Sequence, residues 1–201
     1  MTKIVLIRHG ETEWNISGKY QGQTDIPLSA KGMDQAQRLA EHFPVEALDA
    51  IYSSDLCRAM RTAQYLAERF GIDIHPESSL RELNFGAWEG LSYEEIVSRW
   101  PDAMKNFLRH PDVLSIPEGE TFGDLQKRGV KRIREIVAEN DGKTVAVVAH
   151  GAILRTILCD ALQIPLADLW RIRQYNTAVS ILCYEEDWCT VELMNSTSHL
   201  R

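Results

Sequence analysis

Two histidines, His9 and His150, each close an apolar, β-rich run and are each followed by glycine, in KIVLIRHG and KTVAVVAHG. Arg8 precedes the first, and Arg58 follows a third run of the same kind in DAIYSSDLCR. Imidazole and guanidinium groups collected in this way suit a phosphoryl anion, because the planar fork of arginine pairs with phosphate oxygens two at a time. Each guanidinium at 4 Å from a phosphate charge interacts by roughly 4 kcal/mol at an effective dielectric near 20, before desolvation is subtracted. Two arginines also favour the neutral form of a nearby histidine, and only an unprotonated ring nitrogen attacks phosphorus. Glu82, in RELNFGAWEG, offers an acid for the departing alkoxide. The negative charge of a bound phosphate favours the protonated form of a nearby carboxyl, which suits proton donation near neutral pH.

His9 and His150 are 141 positions apart. They meet only if the strands carrying them run parallel and finish at one edge, where open α/β sheets bind ligands. The pattern of the chain predicts such a sheet. Lys3–Arg8 reads as a buried strand, and Ser29 caps a helix to about Phe43 with Ala36, Leu39, Ala40 and Phe43 on one face. Residues 49–53 form a short strand, Asp55 caps a helix stopped by Gly71, and 73–75 form a third strand. Ser92 and Glu95 make a capping box opening a helix towards Trp100, a short helix reaches about Arg109, and PDVLSIPEGE is loop. Thr121 to Asn140 reads as a long amphipathic helix, 144–149 as a strand, Ala152–Leu162 as a helix, and 178–184 and 189–194 as strands. Continuous apolar strands alternating with helices imply an α/β fold of three layers, α/β/α, with a mainly parallel central sheet. The stretch from about Asn84 to Glu120 reads as a helical insertion over the active-site end of a single 1–201 domain. The helices that follow the strand ends add N-termini that favour anions. Gly10 and Gly151, one after each histidine, let a ligand approach the backbone closely.

Composition narrows the function classes. The chain is 44% hydrophobic and 25% charged, ordinary for a globular protein, and its longest apolar runs are too short to cross a membrane. The opening MTKIVLIRHG has no signal-peptide pattern, so a cytoplasmic location is expected. Cys57, Cys159, Cys183 and Cys189 show neither CxxC spacing nor a disulfide framework and read as reduced thiols. A net charge of -7 argues against nucleic-acid binding. It leaves room for a small anion, since a local pair of arginines overrides a distant negative surface.

RHGETEWN, YQGQTDIPLSAKG, YSSDLCRAMRTA, RELNFGAWEG, PEGET and VVAHG stand in an order that resembles the histidine phosphatase superfamily, in its phosphoglycerate-mutase-like phosphatase branch. The resemblance implies that His9 is the nucleophile that becomes phosphohistidine, that Arg8, Arg58 and His150 clamp the phosphoryl group, and that Glu82 is the proton donor. It also implies that Asn15, Gln21 and Gly22 line the phosphate pocket, and that neither metal nor cofactor takes part. No cluster of carboxylates or of Cys and His has metal-ligand spacing. The tail MNSTSHLR is similar to the NxTxHL ending that related phosphoserine phosphatases fold over the substrate. His199 is therefore a candidate substrate contact, a disordered tail being the alternative.

The implied activity is hydrolysis of a small phosphorylated metabolite by a monomer or homodimer. The block NFGAWEGLSYEEI is most similar to α-ribazole-5′-phosphate phosphatases of cobalamin assembly, whereas the tail points to phosphoserine or broad-specificity enzymes. A phosphoglycerate mutase is the further alternative. It is disfavoured because the segment after Glu82 carries the scattered Arg99, Lys105 and Arg109 and lacks the arginine pair of the mutases. A silent phosphate-binding module would have lost His9, Glu82 or His150. His42, His75 and His110 read as solvated, Arg61 as part of a structural ion pair, and Trp88 and Trp100 as packing residues.

Overall fold

The computed structural model describes residues 1–186 and 188–201. The elements, in chain order, are β1 (Thr2–Arg8), α1 (Glu13–Ile16), α2 (Ala30–Glu41), β2 (Ala50–Ser54), α3 (Cys57–Phe70), β3 (Ile74–Glu77), α4 (Tyr93–Arg99), α5 (Pro101–Arg109), α6 (Phe122–Glu139), β4 (Thr144–Ala149), α7 (Gly151–Ala161), β5 (Val179–Glu185) and β6 (Trp188–Ser196). Short 3₁₀ turns at 78–80, 86–88, 111–113, 166–171 and 198–200 join them.

Among the described residues the strands form one sheet in the order β3-β2-β4-β1-β5-β6. β3, β2, β4 and β1 are mutually parallel, and β5 and β6 are added antiparallel. The run Ile4 to Ile7 is apolar throughout because both faces are covered. Ile4 and Leu6 join α4, α5, α6 and α7 in one hydrophobic cluster, and Val5 and Ile7 join α2 and α3 in the other. Six-residue pairing of β1 with β4 ends with Arg8 opposite Ala149. His9 and His150 therefore leave the sheet side by side, one step beyond the last pair.

The segment 84–120 packs into the same cluster as α6 and α7 through Phe85, Trp88, Ile96, Met104, Phe107, Leu114 and Ile116. Phe107 is its pin, with ring contacts to Tyr20, Trp88, Phe122 and Trp170. Backbone bonds from Tyr20 to Leu91 and from Gly90 to Tyr20, each 2.9 Å, fasten the segment to the loop before α2.

Two local expectations change. Asp55 does not cap α3: its carboxylate is held by Arg81 Nε and Nη2, both at 2.6 Å. The first turn of α3 is served from a distance instead, by Asp25 Oδ1 accepting from the Cys57 N–H at 2.7 Å. A helix N-terminus has four donors to satisfy and takes whichever acceptor is held nearest. Arg61 makes no ion pair among the described residues and lies over the ring of Tyr65 at 4.9 Å. His42, His75 and His110 are exposed, Trp88 is fully buried, and all four cysteines are free thiols.

Candidate active site

The carboxyl ends of four neighbouring parallel strands converge. β1 delivers Arg8 and His9, β4 delivers His150, β2 delivers Ser54 and, one turn later, Arg58, and β3 leads through a 3₁₀ turn to Glu82. The rings of His9 and His150 lie 5.1 Å apart between centroids, inclined at 58°. They are 3% and 0% exposed. Burial, then the positive charges of Arg58 and Arg8, holds the proton affinity of His9 well below the ordinary histidine value. Burial and Arg58 do the same for His150. Both imidazoles are thus neutral near pH 7.

The neutral ring of His9 is locked in one tautomer. Gly10 O can only accept, so Nδ1 carries the proton across the 2.6 Å contact between them, and Nε2 keeps its lone pair. The same reasoning fixes His150. Arg58 Nε donates to its Nδ1 at 3.2 Å, which leaves the proton on Nε2, 2.8 Å from Ser54 Oγ. Both ring nitrogens of His150 are therefore engaged by protein groups, and its Nε2–H faces Ser54 rather than a bare phosphate cradle.

Arg58 is fully buried and anchored by two further bonds, Nη1 to Thr24 O at 3.0 Å and Nη2 to Gly22 O at 2.6 Å. Three of its five N–H groups are thereby used and two are left for a ligand. The loop that accepts those bonds is itself clamped. Glu89 takes the N–H of Gln23 at 2.7 Å and of Thr24 at 2.8 Å, and the Thr24 hydroxyl. A Cβ on Gly22 would lie 2.0 Å from Glu89 Oε1 and 2.8 Å from Leu83 O, which is why this position is glycine. Gly10 is glycine for packing too, since a Cβ would meet Gly32 O of α2 at 2.4 Å. At Gly151 a Cβ would lie 3.1 Å from Arg155 Nη1 and 3.5 Å from Arg8 Nε.

Arg8 donates from Nη1 to Gln174 O at 2.6 Å, while its Nε is buried without a partner. The carboxylate of Glu82 lies across the N-terminus of α7. Oε1 accepts from the N–H groups of Leu83 (2.9 Å), Ala152 (3.2 Å) and Ile153 (3.2 Å), while Oε2 accepts from Ala152 alone at 3.0 Å. His150, the N-cap, makes no side-chain cap bond, so Glu82 supplies from 70 residues away the acceptor that a local cap would have given.

Of the expected pocket residues, Gln21 accepts from the Thr12 hydroxyl at 2.7 Å and its amide Nε2 is buried without a partner. Asn15 Oδ1 accepts from Asn176 Nδ2 at 3.3 Å, and that amide also donates to His9 O at 3.1 Å. His199, the expected substrate contact, is 5% exposed and bonds through Nε2 to Thr177 Oγ1 at 2.9 Å, with Arg38 and His42 of the α2 side nearby. The Thr177 N–H in turn donates to the carbonyls of Arg8 (3.0 Å) and His9 (3.3 Å). The 198–200 turn packs on α2, where Arg38 Nη1 donates to Leu200 O at 3.3 Å.

Several participants were not read from the sequence. Glu89 stands in a block already singled out, four residues after Phe85, and carried no signal separate from a surface carboxylate. Arg155 follows Gly151 by one helical turn and donates to Gly151 O at 2.9 Å and Ile172 O at 2.7 Å. Burial, with Arg8 nearby, pushes its pKa down to about 10. The i,i+4 spacing could have marked it.

Comparison with known proteins agrees with this geometry. Residues 4–197 match the family profile of the histidine phosphatase superfamily, branch 1. The chain is 32% identical to phosphoserine phosphatase 1 of Hydrogenobacter thermophilus over 200 residues, covering all of this chain and 95% of that protein. It superposes on the structure of YhfR from Bacillus stearothermophilus with a TM-score of 0.96 at 35% identity, covering both chains in full. The phosphoserine phosphatase of Entamoeba histolytica in complex with 3-phosphoglyceric acid gives 0.91 at 34% identity, again with full coverage of both. With its six-stranded sheet flanked by helices and its phosphatase relatives, the chain belongs to the histidine phosphatase superfamily, and its enzyme class is that of a phosphatase.

Proposed function

We propose that this protein hydrolyses a small phosphomonoester through a phosphohistidine on His9, with no metal. The observation that carries the proposal is the tautomer lock on His9, which leaves Nε2 unprotonated with the His150 ring 5.1 Å away and the charges of Arg58 and Arg8 acting on it. The Nε2 lone pair attacks phosphorus and the bond to the alcohol oxygen breaks. Glu82 Oε2 gives its proton to that oxygen, and the alcohol leaves. Charge on the transferring oxygens is met by the free N–H groups of Arg58 and by Arg8, and His150 joins by exchanging Ser54 Oγ for a phosphoryl oxygen. Water then enters, Glu82 takes its proton, the N–P bond breaks, and phosphate and neutral His9 are regenerated.

For substrate, the stronger reading is a phosphorylated small acid of the phosphoserine or phosphoglycerate type. It rests on the phosphoserine relatives of equal length. α-Ribazole 5′-phosphate, suggested by the NFGAWEGLSYEEI block and by α-ribazole phosphatase structures that match at 25–26% identity, is the second reading. The test is a panel of phosphoserine, 3-phosphoglycerate, α-ribazole 5′-phosphate and p-nitrophenyl phosphate, assayed for released phosphate and for mutase product, with and without EDTA. Labelled substrate, quenched in denaturing alkali where a phosphoramidate survives, should leave label on His9 in the wild type and none in His9→Ala. Turnover without any label on the chain, or loss of turnover in EDTA, rejects the mechanism.

A further inference from the structure

We infer that Arg128, on α6, is the positioning residue for the acid Glu82, an assignment that rests on the role given to Glu82 above. Arg128 spends all five of its N–H donors on one task. Nη1 donates to the carbonyls of Ser79 (2.8 Å) and Arg81 (2.7 Å), and Nη2 donates to the carbonyl of Glu82 itself (2.9 Å). The remaining two bonds go to Glu120, from Nε at 2.7 Å and Nη2 at 2.9 Å. Glu120 is fastened in turn to the residue pair after Glu82, its own N–H donating to Asn84 O at 2.9 Å.

The need for such a device follows from the local backbone. Residues 81–85 follow a single 3₁₀ turn and belong to no strand or helix, so no ladder of their own sets where Glu82 stands. Three carbonyls in four residues are tied instead to one rigid, planar guanidinium on an 18-residue helix. The carboxylate on the far side of the same residue reaches the N-terminus of α7. Arg128 thus grips the main chain of Glu82 from α6 while α7 grips its side chain. Arg128 makes no hydrogen bond to His9, His150, Arg8 or Arg58 among the described residues; its positive charge is the last of the causes that lower the proton affinity of His150, and Arg128→Lys keeps that charge.

A proton donor matters in proportion to how poor the leaving group is, which separates positioning from a general loosening of the fold. The experiment compares p-nitrophenyl phosphate, whose leaving group departs without help, with an alkyl phosphate such as β-glycerophosphate, which needs the proton. Arg128→Lys keeps the charge and loses the fork. Its kcat/KM, which reports phosphoryl transfer to His9 and not the hydrolysis step common to both esters, should fall about tenfold or more for the alkyl ester and change less than about threefold for the nitrophenyl ester. Glu82→Gln should show the same asymmetry in stronger form. If Arg128→Lys does not fold, the charge-neutral double variant Arg128→Met/Glu120→Gln makes the same comparison. Equal losses on both esters, or no loss on either, in a folded Arg128 variant overturn the assignment while leaving Glu82 as the acid. Absence of asymmetry in Glu82→Gln itself overturns the acid and, with it, the role of Arg128.

Discussion

Replacing Arg58 by lysine keeps a positive charge at the site and removes the geometry. Arg58 spreads its bonds over three nitrogens, to His150 Nδ1, Thr24 O and Gly22 O, and one ammonium nitrogen cannot reach all three. Hydrogen bonds to charged groups contribute about 1.5–3 kcal/mol each. Losing two of them, with the 22–24 loop freed to shift, removes about 3 kcal/mol of transition-state stabilisation, roughly 150-fold in kcat/KM. Arg58→Met removes the charge as well, and with it the roughly 4 kcal/mol attraction expected for a charge pair at 4 Å and an effective dielectric near 20, so it is the slower variant. The two variants differ in a second way. The cation of Arg58 depresses the proton affinity of both histidines, and the acid limb of the kcat/KM profile reports the free nucleophile. That limb should move to higher pH in Arg58→Met and stay in place in Arg58→Lys. Steady-state rates with p-nitrophenyl phosphate from about pH 5 to pH 8, the interval in which histidine titrates, with thermal melts to confirm folding, measure both effects. An Arg58→Lys enzyme within threefold of wild type would refute the reasoning, and so would an Arg58→Met profile whose acid limb has not moved.

Glu89→Gln keeps the size of the side chain and halves its acceptors for the loop N–H groups. It should raise the inhibition constant of inorganic phosphate about tenfold, the equivalent of one charge-assisted hydrogen bond, with little change in melting temperature; unchanged inhibition would disconnect Glu89 from the anion site. Stability should fall on acidification. His9, His150 and His199 all have folded-state proton affinities below the ordinary value, that of His199 at about 4, so below about pH 6.5 the unfolded chain binds protons that the folded chain refuses. Urea midpoints should therefore drop between pH 7.5 and pH 5, and His199→Gln should flatten that drop. A midpoint that is level or rises towards acid contradicts it.

What the sequence revealed and what it concealed divide on physical lines. The buried parallel strands were legible because a strand covered on both faces has no polar alternation to blur it, and Ile4 to Ile7 and Val145 to Ala149 show none. Strand ends were legible for the same reason, since His9 and His150 interrupt those runs abruptly. Caps made by a neighbour in sequence, Ser29 and Ser92, were found where expected. Caps made by a residue distant in sequence were not. Asp25 serving α3 and Glu82 serving α7 depend on the packing of loops whose course no local pattern encodes. The seat of the tail is of the same kind: the NSTSHL letters do not name Thr177 and Arg38, the distant residues that hold His199 and Leu200. Arg128 and Glu89 bind backbone carbonyls and N–H groups, which every residue possesses, so no partner type in the sequence announces them.

The topology carries a consequence for biosynthesis. β1 is made long before its neighbours in the sheet, β4 and β5, the latter begun by Val179. The nucleophile therefore waits until residue 150 for its partner histidine and until residue 177 for its backing threonine. Closing a loop of that span precedes the contacts that reward it. Nascent chains stalled before His150 should be inert and sticky, exposing an unpaired hydrophobic strand, and competence for catalysis should appear abruptly once β4 and β5 are both made rather than accumulate along the way.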